Sequence, residues 1–154
     1  MTRTRYPILF ARRELIEGNG FVAGVTVHGR LLLTREEGES LVEGVNPGGI
    51  AARGDTPSDA LAEFGSELRL VLFDIAEEAG SFAEFEAEVE RFFHGTSGIA
   101  AEEWEAAVAE VRAGRVAADW LRKQPAETPV SIQVVAIEQP KAANNEQDEA
   151  ALAA

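Results

Sequence analysis

The sequence has no cysteine, one methionine, one tyrosine and two histidines, and only 14 lysines and arginines stand against 27 aspartates and glutamates. Without cysteine there is no disulfide, no thiolate nucleophile and no zinc–thiolate site. The formal net charge of −13 opposes direct binding to DNA or RNA, which takes a cationic surface that displaces counterions. It opposes an anionic membrane surface for the same reason. No stretch approaches the roughly 18 apolar residues of a membrane-spanning helix. The opening MTRTRYPILFARREL is not a signal peptide, because Arg12, Arg13 and Glu14 break its short apolar run. A cytoplasmic protein is expected.

What is present suits one folded domain: 154 residues, 45% hydrophobic and 27% charged. The charge is uneven. Residues 1–30 carry five arginines against Glu14 and Glu17, a net of +3, whereas residues 31–154 carry a net of −16. Between Asp74 and Glu110 there are 11 acids and a single base, Arg91. A basic partner therefore fits this chain better than an acidic one.

The first third alternates with the period of two that marks strands. Tyr6–Phe10 is a short apolar run, and Phe21, Ala23, Val25 and Val27 share a face. Asn19-Gly20 is a hairpin signal between them. His28-Gly29-Arg30 reads as a second turn before Leu31–Thr34, and Arg35–Ser40 as a polar connection. Leu41–Val45 and Ile50–Arg53 are further strands around the tight turn Asn46-Pro47-Gly48-Gly49.

From Gly54 the pattern turns helical. Thr56, Pro57 and Asp59 supply an N-cap, a first-turn proline and a capping-box acid. Leu61, Phe64, Leu68, Val71, Leu72 and Ile75 form the stripe of a helix running to about Ala79, with Gly80 as its stop. Leu70 and Phe73 lie off the stripe and predict cover on a second side. Ser81–Glu84 is another capping box, opening a helix with Phe82, Phe85, Val89 and Phe92 in line. HGTSG (94–98) breaks it. A third helix is predicted over about 99–113 with Trp104, Val108 and Val111 as its stripe, then a short helical turn at Ala117–Leu121. Val130–Ile137 reads as a closing strand, and the polar tail 139–154 as disordered.

Catalytic groupings are sparse. His28 and His94 sit in different elements, outside any HExxH spacing, and read as a turn residue and a helix C-terminal residue. The run Gly48–Gly54 lacks both the Lys-Ser/Thr of a P-loop and the GxGxxG spacing. Asp74, Glu77 and Glu78 could hold Mg²⁺ or do acid–base work, or simply form a solvated face. Glu84, Glu86, Glu88 and Glu90 cannot converge, since alternate helix residues point about 200° apart. They coat a surface that either solubilises the chain or docks a basic protein. The aromatics at helical spacing read as core, with Glu rather than Arg or Lys among them.

The stretch NPGGIAARGDTPSDALAEFGSELRLVLFDIAEE (46–78) resembles the HicB-like antitoxin family. Pro47-Gly48, Gly54-Asp55-Thr56 and Asp59-Ala60 occupy the places of that family's turn, strand end and helix start. The resemblance implies a small antiparallel sheet with a helix and a closing strand. It also implies a non-catalytic domain that masks a small basic toxin ribonuclease. The chain departs from the pattern in having Gly49 for the usual Cys, an added hairpin at about 29–45 and acidic helices at about 81–122 before the closing strand. No C-terminal DNA-binding segment is evident.

The expectation is an α+β fold over residues 1–138: a small antiparallel β-meander, a long helix on one face, a helical insertion at about 81–122 and a closing strand. The expected function is protein binding, with no catalytic residue, cofactor or metal. Glu77, Glu78, Glu84, Glu86, Glu88, Glu90, Glu102, Glu103 and Glu105 are the candidate partner-binding residues, facing a basic protein such as a toxin ribonuclease. The alternatives are a homo-oligomeric structural or adaptor protein, in which exposed sheet edges pair, and a Mg²⁺-dependent hydrolase using Asp74, Glu77 and Glu78.

Overall fold

The computed structural model describes residues 4–137 except Ala118; the expected disordered tail, 139–154, lies outside them. Strands β1 (Thr4–Glu17) and β2 (Val22–Glu36) form a long antiparallel hairpin, from Thr4 opposite Arg35 to Glu17 opposite Val22. β3 (Glu39–Asn46) pairs with β2 from Arg30 to Glu36, and β4 (Gly48–Gly54) pairs with β3. β5 (Ser131–Ile137) pairs antiparallel with β2 from Val22 to His28. Since β1 fills one edge of β2, β3 and β5 lie end to end along the other. The fold is α+β: a four-stranded antiparallel meander, a fifth strand and three helices.

Two strands are longer than their sequence suggests. The turn expected at His28-Gly29-Arg30 is not there, and β2 runs straight through it. Gly29 serves a close approach instead: a Cβ there would overlap the Asn46 carbonyl and the Phe10 ring. The reversal falls at Glu37-Gly38, where Gly38 has φ +68°. β1 likewise continues past Arg12 and Glu14. Alternation turns both toward the helices, where Glu14 accepts from Arg12 Nε at 2.6 Å and lies 3.4 Å from Arg69 Nε. The charges that break the apolar run are thus paired within the fold.

Helix α1 (Pro57–Glu78) starts as its caps dictate, with Thr56 Oγ1 accepting from the Asp59 N–H at 3.1 Å. It buries Ala60, Phe64, Leu68, Leu72 and Ala76, with Leu61, Val71 and Ile75 packed alongside. Asn19, in the β1–β2 turn, donates to the carbonyls of Glu77 and Ala79 at 3.0 and 3.1 Å, tying the end of α1 to the hairpin. Helix α2 (Phe82–His94) is capped by Ser81, while Glu84 accepts from Gly80 N–H at 2.7 Å, one residue earlier than in a standard capping box. Phe85, Val89 and Phe93 are buried; Phe92, expected in the stripe, is only partly covered. His94 ends the helix as expected.

Together α1 and α2 cover one sheet face, over Ile16, Ala23, Val25, Val27, Leu31, Leu33, Val42 and Val134. Helix α3 (Gly98–Arg112) lies on the other face. Its Trp104, Ala107 and Val108 pack on Leu32 and Val45, with Leu9 and Ala126 beside them. Val111, expected in the α3 stripe, is exposed, and the described residues of 117–121 form turns rather than a helical turn. The helices expected as a single insertion therefore straddle the sheet. Residues 95–97 make the crossing, held by Thr96 Oγ1 donating to the Val45 carbonyl.

Candidate docking surfaces

The nine candidate glutamates separate by layer. Glu77 and Glu78 end α1, and Glu84, Glu86, Glu88 and Glu90 belong to α2. Glu102, Glu103 and Glu105 ride on α3, across the sheet. One flat partner surface cannot meet both groups. Several already have local work. Glu84 caps α2, Glu88 pairs with Arg91 at 3.1 Å, and Glu103 pairs with Arg5 at 2.7 Å. Glu86 is half-buried. Glu77, Glu78, Glu90, Glu102 and Glu105 are exposed, and none has an ion-pair partner among the described residues.

Sequence reasoning missed one member of the α1 surface. Leu70, expected to be covered, is 57% exposed. It shares a helix face with Phe73, Asp74 and Glu77 by their spacing of three, four and seven residues. Phe73 is half-covered, with the Arg69 guanidinium 5.3 Å from its ring centre. The result is an apolar point followed along the same face by two carboxylates, Asp74 and Glu77. The available signal was that Leu70 falls off the core stripe.

Two cavities carry little chemistry. A cleft of about 470 Å³ lies between β3, β4 and α1, lined by Glu43, Glu63 and Glu67 with Arg53. Arg53 is held by Glu39 at 3.1 Å. A smaller cavity of about 250 Å³ places His28 beside Phe10, Gln124 and Thr128, with no acidic or cysteine side chain in its lining to orient or be activated by the imidazole. His28 is a strand residue, not the expected turn residue. Among the described residues no three His, Asp or Glu side chains come together as metal ligands, and Asp74, Glu77 and Glu78 are no exception.

Two lowered carboxyls flank the end of α3, Glu110 in its last turn and Glu127 beyond it. A hydrogen bond from Arg115 holds the Glu110 carboxyl below its usual range, and Arg115 is raised in return. Glu127 is lowered by its own backbone N–H and then by Arg112. These pairs fasten the segment that leads back toward β5.

No helix among the described residues is long and apolar enough to cross a membrane. Comparison with protein-family models, curated proteins and solved structures finds no match to this chain.

Proposed function

We propose that the protein is a non-catalytic binding module that docks a basic protein on the α1–α2 side of its sheet. The observation that carries this reading is Leu70, 57% exposed on a helix face shared with Asp74 and Glu77. An apolar anchor with carboxylates on the same helix face suits an amphipathic cationic segment. The anchor supplies burial, while the charges steer approach and fix register. Glu78 and Glu90 are further exposed acids of α1 and α2, whereas Glu102, Glu103 and Glu105 belong to the far side of the sheet and fall outside the interface. The resemblance of residues 46–78 to HicB-like antitoxins supports a small toxin ribonuclease as the partner class.

The test is a pull-down with the purified chain from the source cells at about 50 and 150 mM salt, since exposed charge pairs weaken with screening. The wild-type chain retains a small basic protein, and the Asp74→Lys/Glu77→Lys variant loses it. The Leu70→Asp variant loses it as well. Retention of no basic protein at either salt ends the proposal.

A further inference from the structure

Among the described residues the outer edge of β1 is the longest open edge of the sheet, because β1 pairs there with β2 alone. Its second half is also self-complementary. Arg13, Leu15 and Glu17 are exposed, and alternation puts them on one face in the order cation, apolar residue, anion. Neither Arg13 nor Glu17 has an ion-pair partner among the described residues. Helix α3 reaches this face through Leu9, Leu32 and Val45, so its packing stops short of Leu15, which remains 51% exposed.

We propose that β1 is the docking edge for a second copy of this chain, paired antiparallel about a two-fold axis through Leu15. In that register Leu15 meets Leu15 of the second copy. Arg13 meets Glu17 of the second copy, and the symmetry repeats the pair, giving two cross-strand ion pairs around an apolar centre. An open strand edge supplies the main-chain donors and acceptors. The choice of a second copy, rather than another partner, rests on this palindromic charge order. The other edges lack it: β5 carries no charged residue, and β4 carries only Arg53. The bulk charge of −13 does not oppose contact here, because residues 1–30 carry a net of +3.

The experiment is light scattering on the full chain at about 100 μM and 150 mM salt. A dimer is expected. Arg13→Glu alone and Glu17→Arg alone each juxtapose like charges and should raise the dissociation constant at least about tenfold, while the double reversal R13E/E17R restores the dimer. Because the protein has no cysteine, Leu15→Cys provides an independent reading. Opposed residues of antiparallel strands have Cα atoms about 4.5–5.5 Å apart, within the roughly 4.4–6.8 Å a disulfide spans. Oxidation should therefore link L15C into a covalent dimer. Val135→Cys should stay unlinked, being exposed on the same face but on β5, two strands away from the β1 edge that docks. A wild-type monomer overturns the proposal. So does a dimer indifferent to the single reversals, or equal cross-linking at 15 and 135.

Discussion

Arg30 and Asn46 meet where β2 exchanges one neighbour for another: Arg30 Nε donates to Asn46 Oδ1 at 2.8 Å, and Asn46 Nδ2 donates to the Phe93 carbonyl at 3.3 Å. Arg30 also lies 5.3 Å from the centre of the Trp104 ring. A buried amide on β3 thus joins the end of α2 on one face to the α3 tryptophan on the other. Replacing it by Asn46→Leu keeps the branched outline but strands the guanidinium and a buried carbonyl. The expected loss is about 2–3 kcal/mol, read as a lower urea midpoint with an unchanged m-value.

Gly29 sits opposite Phe10 and against the Asn46 carbonyl, with backbone on one side and a packed ring on the other. Gly29→Ala has no room, and overpacking of this kind costs about 1–3 kcal/mol. Gly98→Ala is the contrast, since a Cβ there meets nothing and the residue opens α3. It should leave the thermal midpoint unchanged or raise it slightly. If both substitutions shift the midpoint equally, the crowding at Gly29 is not what holds β2 straight.

These residues also show what the sequence could and could not express. The helix starts were legible because their determinants are local: Thr56 with Asp59, and Ser81 with Glu84. The extent of β1 was hidden because the partner that accommodates Glu14 is Arg69, on a helix far along the chain. Gly29 looked like a turn because close packing and positive φ both select glycine. The α3 stripe announced a buried face but not which side of the sheet it would meet. For that reason nine glutamates that read as one coat divide between two layers. The exposed Leu70 was legible only as a residue off its stripe.

The small core under α3 is separate from the main one, and Trp104 is its largest member at 3% exposed. Trp104→Ala should cost about 3–5 kcal/mol and act unevenly. Amide exchange should accelerate most across α3, while α1 keeps its protection, because Phe64, Leu68 and Leu72 belong to the other core. Uniform acceleration through both helices would show that the two layers open together.

Acid should release the segment after α3. Glu110 and Glu127 both titrate below the usual carboxyl value of about 4.5, the first through the Arg115 hydrogen bond, the second through its own N–H and Arg112. A carboxyl depressed in the folded state contributes stability above its unfolded pKa and loses it as pH falls through the folded one. The pairs therefore hold at neutral pH and let go only below about 4.5. Both carboxyls are exposed, so the effect is local and screened by salt. Carbon-detected titration of the two side chains should give midpoints under 4.5. Arg115→Gln should raise that of Glu110 alone, and Arg112→Gln that of Glu127 alone. In the same pH range the Arg115 amide, bonded to the Glu110 carbonyl at 3.0 Å, should lose protection before the amides of α1. Midpoints at or above the usual value, or insensitive to the arginine changes, would mean that these ion pairs do not persist in solution.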